Sequence, residues 1–173
     1  MPDRAALVTG ASSGIGLAIA EMLGEEGYGL TVAARRPDKL AEAAAGLRDR
    51  GYAVEEVAGN MADEATVQAV VAAHAARFGR LDVLVNNAGV GLGAPVADIQ
   101  TKRVDLQLDV NLRSVILFYR EGAALLKAAG AEHRNALVVN MSSISGKSGQ
   151  AWLSVYSATK AAVIGRASCR ERV

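Results

Sequence analysis

The chain is poor in the residues that staple, kink or anchor proteins. Of its 173 residues, one is cysteine, three are proline and 4% are aromatic. A lone Cys169 excludes an internal disulfide. Lysine and arginine number 19 against 18 acids, a formal net charge of +1. With both signs mixed along the chain, this balance argues against a nucleic-acid grip and against an acidic tail. No low-complexity linker and no internal repeat divides the sequence. The opening MPDRAALVTG enters a short strand directly, without an apolar core long enough for a signal peptide. No later run approaches the length of a membrane span. These absences predict a cytoplasmic α/β protein with neither a membrane nor a nucleic acid as partner. His74 and His133 have no cysteine or carboxylate at ligand spacing, so no metal site is expected.

What the chain has is length for one domain with a real core, and a regular alternation. Short apolar runs (AALVTG, GLTVAAR, AVEEVA, LDVLVNNAG, NALVVNMSS) alternate with stretches of helical spacing. Pro37 opens one of those helices and Gly51 follows its end, while Asp63 stands where it could cap the next. Residues 101–130 read as one long helical region. Strands alternating with helices predict a parallel sheet covered on both faces, an α/β doubly wound Rossmann fold in the order 3-2-1-4-5. His74 is expected on a helix surface, and Trp152 in packing near the start of the last helix.

The first strand hands over to its helix through TGASSGIG, which places Gly10, Ser12, Ser13, Gly14, Ile15 and Gly16 in one tight turn. Such a turn tolerates unusual backbone angles and leaves room for a pyrophosphate at the helix N-terminus. The second strand ends in VAARRPDK, with Arg35 and Arg36 where an acid would select NAD. Two guanidinium groups suit a 2′-phosphate instead, so NADP is expected, with NAD less favoured.

From Leu7 to about Val163 the chain resembles a classical short-chain dehydrogenase/reductase, in the glycine turn and in several further motifs. NNAG, with Asn87, Ala88 and Gly89, resembles the family's fourth-strand motif. Asn60 departs from the family, which commonly has an aspartate there facing the adenine; it and its neighbour Met61 are expected at the cofactor. Asn111 in DVNLRS, Ser143 in NMSSIS, and Tyr156 and Lys160 in YSATK match the family's catalytic tetrad. The resemblance implies that Tyr156 and Lys160 also meet the cofactor, Lys160 at the nicotinamide ribose, and that Asn111 holds a water linking Lys160 to solvent. It also implies a carbonyl or alcohol as the small-molecule substrate, and a homo-oligomer whose dimer face is the helical region around Asn111.

The residues support that chemistry independently. Tyr156 and Lys160 are i and i+4 on a helix and share a face. A free phenol ionises near pH ~10, so it needs help to serve as a base in neutral water. An ammonium ~4 Å away, at an effective dielectric of ~20, is worth up to ~4 kcal/mol toward the phenolate. Ser143 would hold the reacting oxygen by a hydrogen bond.

The last ten residues, IGRASCRERV, correspond codon by codon to a common sequencing-adapter string. The expectation is therefore a dinucleotide-binding domain over residues 1–163 and an artefactual tail over 164–173, with the family's later strands and substrate lid missing. On that expectation a lengthened chain is an oxidoreductase and the chain as it stands turns over poorly. The alternative is an inactive nucleotide-binding fragment or a non-catalytic Rossmann interaction protein.

Overall fold

A computed structural model describes residues 2–168. Five strands are present: β1 (Ala5–Thr9), β2 (Gly29–Ala34), β3 (Val54–Ala58), β4 (Val83–Asn86) and β5 (Leu137–Asn140). They form one parallel sheet in the order β3-β2-β1-β4-β5. The helices between and after them are α1 (Gly14–Glu25), α2 (Pro37–Asp49), α3 (Glu64–Phe78), α4 (Thr101–Leu108), α5 (Ser114–His133) and α6 (Ser154–Ser168). The strand order is the one expected for right-handed crossovers on both sides of a parallel sheet.

Alternate residues of each strand feed two cores. Ala6 and Val8 of β1 and Leu30 and Val32 of β2 pack with Leu40 and Leu47 of α2 on one face. Leu7 and Leu84 pack with Val67, Val70 and Phe118 on the other. Both faces are covered, so the central strands β1, β2 and β4 are buried along their whole length rather than alternating, while the edge strand β3 carries Glu55 and Glu56.

Several expectations need correction. His74 is not on the surface. It is fully buried, its Nδ1 2.7 Å from the Thr31 hydroxyl and its Nε2 2.8 Å from the Arg80 carbonyl. Two internal polar partners allow a histidine where the helix pattern alone shows only a break in an alanine-valine stripe. Asp63 is the residue before α3 but makes no side-chain cap. Trp152 does not pack: it is 70% exposed, and its backbone lies in the left-handed region at φ 65°. The long helical region is interrupted by a π-helical turn over Asp109–Arg113. Helix α6 spans Ser154–Ser168, and the Arg166 guanidinium lies 4.5 Å over the Tyr119 ring, neither of which bears on the boundary expected at Val163. Cys169–Val173 lie outside the described residues. No helix among the described residues is long and apolar enough to cross a membrane.

Candidate active site

The C-terminal ends of β1, β2 and β4 open onto one cleft. It is lined by Gly10, Ser12, Arg35, Arg36, Asn60, Met61, Ala88 and Gly89, all of them expected site residues. Such a crevice beyond the strand ends is where open α/β sheets take ligands.

Its floor is built from a close approach of two turns. Gly10 has φ 68°, and a methyl there would sit 2.9 Å from the Ala88 Cα. Asn87 locks the approach: its Nδ2 donates to the carbonyls of Thr9 (3.0 Å) and Gly10 (3.2 Å). Thr9 answers from the other side, its hydroxyl oxygen accepting the N–H groups of Asn87 and Ala88, each at 3.0 Å. Asn87 is therefore a brace for the glycine turn. Thr9, a polar residue buried at a strand end, is a site residue that sequence reasoning passed over. A methyl on Gly16 would collide with the Asn87 amide and the Gly10 carbonyl, which is why α1 starts so near the sheet. At Gly14, φ is 58° and a Cβ would meet nothing within 4 Å, so the start of α1 is open. Ser13 and Gly14 border a neighbouring hollow rather than the cleft itself, and Ile15 points outward, 64% exposed.

Arg35 and Arg36 stand exposed at the tip of β2. Elsewhere Arg48, Arg50, Arg80, Arg113 and Arg120 are each paired with an acid. Among the described residues neither Arg35 nor Arg36 has such a partner. Asn60 lines the same cleft, with its Oδ1 accepting the Ala62 N–H at 3.2 Å. An open helix start, a tight glycine turn and two uncompensated guanidinium groups fit a phosphorylated dinucleotide.

Asn111 and Lys160, two of the four expected catalytic residues, approach the cleft behind Gly89, which lines it. Asn111 sits in the π-helical turn, 1% exposed. Its Oδ1 accepts the Val90 N–H at 2.8 Å; its Nδ2 donates to the Val90 carbonyl (2.9 Å) and the Thr159 hydroxyl (3.1 Å). Lys160 is 4% exposed and donates from Nζ to the Met141 carbonyl at 2.7 Å. Burial pushes its ammonium below the usual lysine range. Nζ lies 5.8 Å from the centroid of the Tyr156 ring, as residues on one helical face should. A methyl on Gly89 would sit 3.4 Å from both Lys160 Nζ and Asn111 Oδ1, so these two groups converge there. Ser143 begins the 3-10 turn Ile144–Gly146, its Oγ accepting the Ser145 N–H at 3.2 Å, which leaves the hydroxyl proton free to donate. Ser142 ties that turn to α6 through a 2.8 Å bond to the Lys160 carbonyl. No cluster of three or more metal-ligating side chains occurs among the described residues.

The short chain dehydrogenase family profile matches residues 4–171. The chain belongs to the short-chain dehydrogenase family. It is 41% identical over 164 residues to ketoacyl reductase 1 described for the granaticin polyketide synthase of Streptomyces violaceoruber, covering 92% of this chain and 58% of that protein. It is 39% identical over 164 residues to cis-4-hydroxycyclohexanecarboxylate dehydrogenase of Sinomonas cyclohexanicum, covering 93% and 63%. Among solved structures, L-sorbose reductase from Gluconobacter frateurii, complexed with NADPH and L-sorbose, superposes with a TM-score of 0.90 at 32% identity, covering 96% and 62%. This short-chain dehydrogenase chain thus spans about 60% of the length of the relatives it matches.

Proposed function

We propose that residues 1–163 carry the dinucleotide-binding and proton-transfer parts of an NADP-dependent oxidoreductase acting on a carbonyl or alcohol. The observation that carries this reading is Lys160. It is a buried ammonium with no carboxylate partner among the described residues, and such a charge is costly to keep for structure alone. It lies beside Tyr156 and Asn111, behind Gly89, which lines the same cleft as Arg35 and Arg36.

When bound, a nicotinamide dinucleotide supplies the ring that gives or takes the hydride. The chain's own residues then do the rest. The turn Gly10–Gly16 holds the diphosphate, Ser12 from within the cleft and Ser13, Gly14 and Ile15 through their backbone N–H groups at the start of α1. Arg35, assisted by Arg36, holds the 2′-phosphate, and Asn60, Met61, Ala88 and Gly89 border the nucleoside. Ser143 donates its hydroxyl proton to the substrate oxygen and fixes its place. Tyr156 passes a proton between its hydroxyl and that oxygen, giving it in carbonyl reduction and taking it in alcohol oxidation. Lys160 favours the phenolate by its charge and offers its remaining protons toward Tyr156 and the ribose. Asn111 holds Val90 and Thr159 in place around Lys160. Leu108 and Ile116, exposed near and within α5, support self-association through that helical face.

The L-sorbose reductase complex with NADPH supports the choice of NADP. The test is a titration of the chain with NADPH and NADH, followed by turnover over a panel of ketones and alcohols in a chain lengthened to its relatives' span. NADPH is expected to bind more tightly. Arg35→Asp should cost NADPH about one to two decades in affinity and reverse the preference. Tyr156→Phe should keep NADPH binding and abolish turnover. Equal binding of both cofactors, or turnover surviving Tyr156→Phe, would defeat the proposal.

A further inference from the structure

The segment Gly89–Ala94, which follows β4 without regular secondary structure, has two different sides. Its glycines alternate at 89, 91 and 93. A methyl on each would face the catalytic helix region: Gly89 toward Lys160 Nζ (3.4 Å), Gly91 toward the Tyr156 ring (3.5 Å), and Gly93 toward the Trp152 carbonyl (3.5 Å). The residues between them are held by their backbone N–H groups. Val90 donates to Asn111 Oδ1 (2.8 Å), Leu92 to Gln107 Oε1 (3.0 Å), and Ala94 to the Trp152 carbonyl (2.9 Å).

Gln107 is the part of this arrangement that the tetrad does not contain. It is completely buried, and its Nε2 is occupied by the Arg103 carbonyl at 3.0 Å, which sets the rotamer. Gln107 and Asn111 are four residues apart, a rise of about 6 Å on a helix. Val90 and Leu92 are two residues apart, about 6.6 Å in an extended chain. Two amides on one helical face therefore match two successive N–H groups on one side of the segment. Residues 93–99 are largely exposed, where a backbone N–H can bond to water at little cost. Burying a whole amide to hold one such N–H makes sense only if the segment's register matters.

We infer that Gln107 is a positioning residue for the proton-transfer site: with Asn111 it fixes the backbone on both sides of Gly91, and so fixes the stretch that faces the Tyr156 ring. The inference rests on the oxidoreductase reading for its consequence, and on the hydrogen bonds alone for its geometry. Loss of the Gln107 bond frees Leu92, lets Gly91 drift from the ring, and loosens the phenol relative to Lys160 and Ser143.

The experiment is NMR of the 173-residue chain with labelled backbone amides and tyrosine rings, in parallel with NADPH titration. In the unmodified chain the Leu92 amide should be protected from solvent exchange. Gln107→Met, similar in length and without the acceptor, should raise Leu92 exchange about tenfold, the usual worth of one net hydrogen bond. It should also move the Tyr156 ring signals while leaving the Leu7 and Val8 amides protected. Gln107→Glu, kept protonated by burial, retains an oxygen acceptor for Leu92 and an O–H donor for the Arg103 carbonyl, and should restore both the Leu92 protection and the ring signals when measured at mildly acidic pH. A freely exchanging Leu92 in the unmodified chain, which requires no variant to fold, would overturn the inference. So would Tyr156 signals that stay in place in Gln107→Met. Failure of NADPH to bind any of the three chains would instead count against the oxidoreductase reading, with the clamp still decided by Leu92.

Discussion

His74 shows how one buried side chain can set the pH response of the whole chain. Its Nε2 faces the Arg80 carbonyl and must donate, so Nδ1 accepts from the Thr31 hydroxyl in the neutral ring. Desolvation by burial lowers its pKa to about 4, outweighing the help a cation would get from the Arg80 carbonyl and from Asp82. An unfolded histidine titrates near pH ~6.5. Between these values the unfolded chain binds a proton that the folded chain refuses. Stability from this group is thus fully present above pH ~6.5 and is lost as pH falls toward about 4. Integrated from pH 7 to pH 5, the loss is about 2 kcal/mol. This interval sits above the ordinary carboxylate range, so His74 should dominate it. Urea unfolding at pH 7, 6 and 5 should show that slope, and His74→Gln should flatten it. An unchanged slope in the variant would assign the effect elsewhere.

At the scale of elements, the site depends on how closely the 3-10 turn Ile144–Gly146 seats on α6. A methyl on Gly146 would lie 2.8 Å from the Lys160 carbonyl carbon, 2.9 Å from its oxygen and 3.0 Å from the Ala161 nitrogen. All three are backbone atoms, so no flexible side chain can yield. Gly146→Ala must therefore push the turn, with Ser143 at its head, away from the helix that carries Tyr156 and Lys160. Overpacking of this kind costs about 1–3 kcal/mol. Gly149→Ala, where a methyl would meet nothing within 4 Å, should stay within about 0.5 kcal/mol of the unmodified chain. Thermal unfolding of the two variants checks the contrast, and equal stabilities would mean the turn is not seated as described. Elements were also the scale most legible in the sequence. The strand order followed from alternation and handedness. What stayed hidden was what depends on distant partners. His74 reads as a surface residue until Thr31 and Arg80 arrive from other elements. Gln107 reads as one polar residue in a helix until Leu92 folds back onto it. The π-helical turn around Asn111 leaves no mark in a hydrophobic period, because it shifts the register by a single residue within a continuous helix.

The two edges of the sheet differ in a way that governs the behaviour of the whole molecule. β3 forms one edge and carries Glu55 and Glu56, charges that discourage another strand from pairing there. β5 forms the other edge with the sequence LVVN, which has no charge, and Leu137 is 50% exposed. Beside it a groove between α5 and β5 exposes parts of Leu126, Ala136 and Val138. An uncharged, apolar strand with a free row of backbone donors and acceptors is a template for association. The chain is therefore expected to self-associate as its concentration rises from about 10 μM to 1 mM. Dimerisation through α5 would saturate at two copies, whereas edge pairing continues to larger species, so light scattering separates the two. Leu137→Lys places a charge on the β5 edge alone. It should suppress the large species, leave any dimer intact, and leave NADPH binding unchanged, because Leu137 starts β5, at the opposite end of the parallel sheet from the strand ends that line the cleft. A monodisperse unmodified chain across the whole concentration range would show that this edge is already protected. Large species that persist undiminished in Leu137→Lys would place the association on another surface.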